Sequence, residues 1–186
     1  MQLIVDHDDF SGWVVHLADP ARAKRAYWHL VLSGPKALPA VRAGLSHPHW
    51  SVRDYCAKAL DHLVDGDAFG DLIGLLDDPH PRVRADALHA LACERCKTTS
   101  CRPAKAEVLA PALHLLAHDP SGGVRATAVE VVGRYAHDDP DAAAALVGAR
   151  DGDAAPTVRK KAGWYAPGGP IYLRTARARL TTRMAP

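Results

Sequence analysis

The sequence predicts an all-α protein, an α-solenoid of about four helical hairpins, on three observations. The pair Val-Arg recurs at spacings of 31, 41 and 34 residues, beginning at Val52, Val83, Val124 and Val158. Each pair follows a turn-like stretch that contains proline. The residues four and eight positions after each Val are apolar or small, so they share one helix face with it. Two-helix units of this length bury their apolar faces only by stacking on one another.

The predicted elements start with an N-terminal helical cap over residues 1–34. It contains a helix from Pro20 to Leu32, with Asp19 as the N-cap and Pro20 as the first residue. The solenoid takes residues 35–166, where one apolar helix precedes each turn and the Val-Arg helix follows it. The preceding helices are expected at residues 37–45, 68–76, 108–117 and 142–149.

A basic C-terminal cap is predicted over residues 167–186. Pro167 and the glycines after it should end the last repeat helix, and Pro170 is placed to open a short capping helix. Terminal repeats must cover an otherwise exposed face. The residues predicted to do so are apolar and aromatic: Trp164, Ile171, Tyr172 and Leu173.

An arginine follows six residues after the aspartate of three turns, and this pattern resembles HEAT-repeat proteins. The branch it resembles includes the phycobilisome-lyase-like repeats. The matching pairs are Asp78 with Arg84, Asp119 with Arg125 and Asp153 with Arg159, while His47 replaces the aspartate before Arg53. The resemblance implies an Asp–Arg ladder between neighbouring repeats, and therefore a structural role for these arginines rather than phosphate binding. It also implies a bilin-lyase-like role as one functional alternative.

Composition and charge fit one globular domain without a membrane span. Hydrophobic residues make up 48% and charged residues 24% of the chain. The first ten residues hold three aspartates and no Lys or Arg, which is not a signal peptide, and no apolar run is long enough to cross a bilayer. A cytoplasmic protein with reduced thiols is expected.

A cysteine-containing insertion at residues 93–103 lengthens the spacing between Arg84 and Arg125. Cys-x2-Cys lets two thiolates reach one tetrahedral ion, and a third cysteine follows; the three are Cys93, Cys96 and Cys101. His89 lies one helical turn before Cys93 and completes a three-cysteine, one-histidine set. His114, on the next helix, is the other candidate for the fourth ligand.

The insertion leaves three alternatives open. Structural zinc is the main prediction, because three thiolates and an imidazole fill a tetrahedral shell and leave no place for water. An iron–sulfur cluster is the weaker metal alternative. A redox-active dithiol and ordinary free cysteines are the remaining two interpretations. Cys56 belongs elsewhere, because it takes the position of Ala87, Ala128 and Ala162 and is predicted to be a buried small residue.

A binding groove is predicted on the helix face opposite the buried stripe. In the first Val-Arg helix this face carries Trp50, Asp54, Ala57 and Asp61. The equivalent later positions are mostly apolar: Ala85, Leu88, Ala92, Ala126, Val129 and Gly133, followed by Lys160 and Gly163. A smooth groove of this kind suits a chain-like partner. The alternative for Trp50 is that it packs on its own turn.

Trp50 and Asp54, one helical turn apart, also resemble a pair in HEAT-like alkylpurine DNA glycosylases. A second tryptophan on a later repeat matches Trp164. The resemblance implies that Asp54 stabilises the developing glycosidic cation and that Trp50 and Trp164 grip the lesion backbone. The two tryptophans are one repeat further apart here than that family requires.

The charge distribution adds a second candidate surface. After Asp153 the sequence has no acid and seven Lys or Arg, so residues 1–153 sum to 2 − 7 = −5. Contact with phosphate or with an acidic protein is expected from Lys160, Lys161, Arg174 and Arg177. The leading prediction is a non-catalytic scaffold for a protein or other macromolecular partner. The alternative is a DNA-binding or glycosylase-like protein.

Overall fold

The computed structural model of the chain describes residues 9–63, 68–92 and 103–176. In those ranges the chain forms α-helices joined by turns and short 3-10 segments. The helices are α1 Phe10–Val15, α2 Ala23–Leu32, α3 Leu38–Gly44, α4 Trp50–Leu63, α5 Phe69–Gly74, α6 Pro81–Ala92, α7 Lys105–His118, α8 Gly122–Gly133, α9 Pro140–Gly152 and α10 Pro156–Tyr165. A further helix is described from residue 170 to residue 176.

The chain divides into two compact units, Met1–Pro103 and Ala104–Pro186. In the first unit the hairpins are α1/α2, α3/α4 and α5/α6, and their second helices pack side by side as α2–α4 and α4–α6. In the second unit α7/α8 and α9/α10 form hairpins, and α8 packs beside α10. Each hairpin thus stacks on its neighbour within its unit.

The Val-Arg stripe is buried as predicted. Val52, Val83, Val124 and Val158 are at most 1% exposed, and Cys56 and the three alanines in its position are 0% exposed. Burial raises the pKa of the Cys56 thiol to about 12. Gly44 of α3 lies directly against the Cys56 sulfur, so a Cβ at Gly44 would overlap it.

Residues 9–32 form a complete hairpin where the sequence predicted a single N-terminal helix. The predicted helix start at Pro20 is wrong, because Pro20 belongs to a turn and α2 begins at Ala23. The Asp19 carboxylate accepts a hydrogen bond from the Ala21 N–H at 2.9 Å. The same turn recurs with acceptors Asp78, Asp119 and Asp153, at 2.8, 2.8 and 2.7 Å. In the described residues there are therefore five hairpins rather than four.

The Asp–Arg ladder is present within each unit. The Arg53 guanidinium donates from Nε and Nη2 to Asp78 at 2.6 and 3.0 Å. Arg125 donates in the same way to Asp153, at 2.8 Å for both bonds. The Nη1 atom of each arginine also donates to its own turn, at 2.8 Å to His47 O and 2.8 Å to Asp119 O. These arginines therefore join one repeat to the next.

The C-terminal turn follows the prediction. The last repeat helix ends at Tyr165, and a new helix begins at residue 170. Between them Gly168 has φ +85°, a conformation that favours glycine. A Cβ at Gly169 would overlap the carbonyl oxygen of Gly163, so the chain can approach α10 closely only with glycine there.

Candidate partner-binding site

The accessible face of α4 is rotated by one residue from the predicted groove. Asp54, Ala57 and Asp61 are 1%, 0% and 7% exposed, whereas the accessible positions follow directly after each of them. Those positions are Tyr55, Lys58 and His62. The predicted face is buried because α6 packs along that side of α4. The expectation that Asp54 lines an open groove is therefore wrong.

Part of the same offset occurs in α6 and α8. In α6 Leu88 and Ala92 are buried, while Ala85 and Asp86 are half-buried and His89 is exposed. In α8 only Val129 of the predicted positions is buried; Ala126 and Gly133 are half-buried, as are Thr127, Glu130 and Arg134. The accessible faces therefore combine polar side chains with small residues of the predicted groove.

An ionic group around the buried Asp54 joins α4 to α6. The Lys58 ammonium donates to Asp54 Oδ2 at 2.7 Å and lies 2.9 Å from Asp86 Oδ2. Arg82 Nη2 lies 3.7 Å from the same Asp54 oxygen. The pKa of Asp54 is raised to about 6, mainly by burial and also by the neighbouring Asp86 carboxyl, while Lys58 opposes both.

This environment limits what Asp54 can do chemically. Its carboxylate is 1% exposed and is held by a lysine of its own helix. A glycosidic cation needs an accessible carboxylate beside it, so this geometry gives no support to the glycosylase alternative. Asp54 instead helps to fix α6 against α4.

A polar pocket of about 280 Å³ opens beside this group, on the second helices of the first unit. Its lining comes from α2, α4 and α6: Tyr27, Lys58, Asp61, His62, Asp86 and His89. The Asp61 carboxylate is 10% exposed, and its Oδ2 lies 3.8 Å from His89 Nε2. The pocket therefore combines carboxylates with aromatic and imidazole rings.

Rings of α2 and α4 form an aromatic rim beside the pocket, consisting of Tyr27, Trp28, Tyr55 and His62. The Tyr27 ring lies 5.0 Å from Trp28 and 5.7 Å from Tyr55, and the Trp28 ring lies 6.2 Å from His62. Trp28 is 46% exposed, and Leu32, one turn further along α2, is 82% exposed. Exposed apolar side chains that lie next to one another, as these two do, mark a candidate contact surface.

Sequence reasoning missed the rim and most of the pocket. Of the pocket residues only His89 was predicted as a site residue, and there as a metal ligand, while Asp61 was placed on the groove face. The sequence does contain a signal for this face: Tyr55, Lys58 and His62 are spaced to share one side of a helix, and each directly follows a residue of the predicted groove face. The accessible face of a helix can be predicted only when the side that the next hairpin covers is known.

Trp50 is the first residue of α4 and is not among the described residues that line the pocket. Its ring stacks on His80 at 3.9 Å with an interplanar angle of 10°, and the Arg82 guanidinium lies 5.6 Å from its centre. Trp50 therefore packs mainly on the turn of the next repeat, whereas the alternative interpretation placed it on its own turn, where His49 is 6.2 Å away.

The predicted contact residues of the second unit are partly engaged with neighbouring side chains. Lys161 forms an ion pair with Glu130, and Lys160 Nζ lies 5.6 Å from the ring centre of Trp164, which is 40% exposed. Arg174 is exposed on the last described helix. Arg177 lies outside the described residues.

The predicted metal ligands are only partly within the described residues. Cys93, Cys96 and Cys101 lie outside them. His89 is 54% exposed near the end of α6, and the His114 ring lies 5.0 Å from His118. The part of the chain that is described contains no group of three or more His, Cys, Asp or Glu suited to a metal. Among its helices none is long and apolar enough to span a bilayer.

Comparison with known proteins gives a family and two structural likenesses. A family model of HEAT repeats matches residues 14–92, 38–114 and 71–165. The chain is similar to the complex of CpcE and CpcF of phycocyanin lyase from Nostoc sp. PCC7120, with a TM-score of 0.69 and 20% identity over 84% of this chain and 97% of that chain. It is also similar to importin beta, with a TM-score of 0.60 and 16% identity over 84% of this chain and 23% of that chain. No curated protein matches the sequence.

These likenesses confirm the predicted fold class, an all-α solenoid of helical repeats. At 20% and 16% identity they show the fold alone.

Proposed function

Because the chain belongs to the HEAT-repeat family, we propose that it is a non-catalytic scaffold that binds a protein partner. The observation that carries the proposal is the exposure of Trp28 and Leu32, 46% and 82%, next to an open pocket. Exposed aromatic and aliphatic side chains of this kind are enriched where proteins bind each other. The partner surface is the aromatic rim together with the pocket.

The ionic group around Asp54 supports the proposal that the protein is non-catalytic. Lys58 is shared between Asp54 and Asp86, so its charge serves the packing of α4 on α6. The CpcE–CpcF complex and importin beta resemble this chain in fold. A bilin-lyase-like role has no support beyond that likeness.

Site-specific photocrosslinking in cells tests the proposal. A photoreactive amino acid replaces Leu32 at the rim or, as a matched control, Leu173 in the second unit, which is 51% exposed. We expect one recurrent protein adduct from position 32 and none of that mass from position 173. Absence of a discrete adduct at position 32, or the same adduct at both positions, contradicts the proposal.

A structural zinc site is a further part of the proposed scaffold. Cys93, Cys96 and Cys101 would supply thiolates, and His89 would supply the imidazole. The sequence spacing supports this assignment, and so does the position of His89, which is exposed one turn before the end of α6 at Ala92. Zinc would stabilise the chain that follows α6 by tying its three cysteines to His89 of that helix.

The alternative partner is nucleic acid, bound by the basic residues after Asp153. Its support is the absence of acids in residues 154–186 together with the exposure of Lys160 and Arg174. Lys161 already has Glu130 as a partner. We rank this alternative second because the rim in the first unit offers apolar contact area that phosphate does not need.

A further inference from the structure

We infer that His114 and His118, in the last turn of α7, form a surface site for a divalent transition-metal ion that imidazole binds well, such as Ni²⁺, Cu²⁺ or Zn²⁺. The inference goes beyond the proposed function and does not depend on it, because α7 contributes no residue to the rim or to the pocket. Three features carry it: the spacing of the two histidines, the distance between their rings, and their place at the C-terminal end of a helix.

The two histidines are neighbours on the accessible side of α7. The helix runs from Lys105 to His118, so positions 114 and 118 lie one turn apart and their side chains share one face. Both histidines are exposed, whereas Leu115 and Leu116 between them are buried. Two histidines four residues apart on a helix can both bind one zinc ion.

The distance between the two rings fits a shared ion. The ring centres of His114 and His118 lie 5.0 Å apart, with an interplanar angle of 53°. Two imidazoles that bind one ion at about 2.1 Å, with an angle of about 90–110° at the ion, have ring centres about 4.5–5.2 Å apart. Rotation of an exposed imidazole about its Cβ–Cγ bond can turn a ring nitrogen toward the ion.

The backbone that carries the pair is held in place on both sides of His118. The Asp119 N–H donates to the carbonyl oxygen of Leu115 at 3.1 Å, which closes the last helical turn. The Asp119 carboxylate accepts a hydrogen bond from the Ser121 N–H at 2.8 Å, which fixes the turn that follows. Metal binding therefore needs to order only the two imidazoles.

The end of α7 at which the pair lies favours a positive ion. The last carbonyl groups of a helix carry partial negative charge, and His118 is the last residue of this 14-residue helix. α7 contains one lysine and no arginine. That lysine, Lys105, stands at the opposite end and pairs with Asp139 at 2.9 Å.

Other histidines of the second unit are used differently. His137 stacks on Tyr172 with ring centres 4.0 Å apart, and its Nε2 lies 2.8 Å from Thr175 Oγ1. That ring therefore helps to hold the last described helix. The pair on α7 instead presents its two rings to solvent, where an added ion can reach them.

The assignment gives His114 a partner other than the cysteine segment, for which the sequence made it a candidate ligand. Two imidazoles hold an ion more weakly than three thiolates and an imidazole do, so this site is filled by added metal rather than by metal that survives purification.

Calorimetric titration with Ni²⁺–nitrilotriacetate tests the inference. This chelate leaves two adjacent coordination positions, which two imidazoles can fill and a set of four protein ligands cannot use. We expect one chelate to bind per chain. His114→Asn and His118→Asn should each weaken binding about tenfold or more, because the second imidazole binds within the complex that the first has formed.

The double variant and a control variant complete the test. The double variant should bind within about twofold of either single variant, since one imidazole alone retains little of the affinity. His49→Asn removes an exposed histidine of the first unit and keeps a side-chain acceptor for the Ser51 N–H, so it should bind within about twofold of wild type. Single variants that bind nearly as well as wild type, or losses that add up in the double variant, would overturn the inference.

Thermal melting with free Zn²⁺ gives a second readout. The pair exists only in the folded helix, so excess Zn²⁺ should raise the melting temperature of the wild type by about 3 °C more than that of His118→Asn. The cysteine segment is the same in both proteins, so its contribution cancels. Mg²⁺ should not distinguish the two proteins, because it prefers oxygen ligands. Equal shifts with Zn²⁺ would contradict the assignment.

Discussion

The two units are built from the same hairpin, yet their second helices present different surfaces. In the first unit the accessible face of α4 and α6 carries rings and carboxylates around a pocket. In the second unit the equivalent face of α8 and α10 carries Thr127, Glu130, Arg134, Lys161 and Trp164. The buried stripe and the Asp–Arg ladder recur in both units. The repeat therefore fixes how the hairpins stack, and the two units differ in the side chains on their accessible faces.

Variants of the Asp–Arg ladder should have the largest effect on stability, and they test the feature that the two units share. Arg53→Ala and Arg125→Ala each break an ion pair whose arginine side chain is 13% exposed, and each leaves turn carbonyls without a donor. We expect each to lower the free energy of unfolding by about 3 kcal/mol. Urea denaturation measures the effect.

Arg159→Ala is the matched control for the ladder variants. Arg159 donates to the carbonyls of Asp153 and Ala154 at 2.6 and 3.1 Å, but has no carboxylate partner in the described part of the chain. We expect a loss of about 1 kcal/mol. Equal losses for Arg125→Ala and Arg159→Ala would show that the carboxylate contributes little.

The cysteine segment at residues 93–103 tests a feature found once in the chain. Cys96→Ala, or a strong chelator, should lower the melting temperature by about 5 °C, since a structural metal contributes folding free energy. Elemental analysis of the purified protein should find one zinc per chain. A metal-free protein with an unchanged melt would contradict the assignment, and the chelator should not affect Cys96→Ala.

The pH dependence of stability tests the ionic group around Asp54, which lies in the first unit. Folding raises the pKa of Asp54 from 3.8 to about 6, mainly by burial. A carboxyl with a raised pKa stabilises the fold below its unfolded pKa, and that contribution is lost as the pH rises through the folded pKa. Relative to Asp54→Asn, the wild type should lose about 1–2 kcal/mol between pH 4 and pH 6.5.

The difference between these two curves reports Asp54 together with its effect on Asp86, whose pKa is lowered, despite burial, by hydrogen bonds to Asp54 and Lys58. The pKa of Asp153 is lowered by its hydrogen bonds to Arg125, so that carboxyl titrates below the window. Parallel curves for the wild type and Asp54→Asn would show that folding does not raise the pKa of Asp54.

Duplex DNA gives the smallest expected effect and tests the basic face of the second unit. Under the nucleic-acid alternative, Arg174→Ala should weaken binding about threefold and reduce the dependence on salt by about one phosphate contact. Fluorescence anisotropy over a salt series measures both. No binding at low salt would leave a protein partner as the remaining hypothesis.

The fold was predictable wherever one residue pattern repeats. Val-Arg pairs and proline-containing turns located four hairpins, because burial by stacking demands the same small residues in each. The first hairpin was not predicted as a hairpin because it has Lys24 at the position where the other repeats have Val before Arg. The spacing of six residues from Asp19 to Arg25 was the signal that remained.

The site was less predictable, because its position depends on packing between hairpins. Helical geometry correctly placed Asp54 and Asp61 opposite the stripe through Val52. It did not indicate that α6 would cover that side and shift the accessible face to Tyr55, Lys58 and His62. A single helix cannot show this, because the covered sector is set by its neighbour.

Gly44 and Cys56 share one fixed volume between two helices. The thiol is larger than the alanine side chain found at the equivalent positions, and glycine on α3 makes room for it. A larger residue at position 44 is therefore acceptable only together with a smaller one at position 56. Substitutions at the two positions are therefore coupled. A smaller residue at position 56 alone opens a void, and a larger residue at position 44 alone causes a clash.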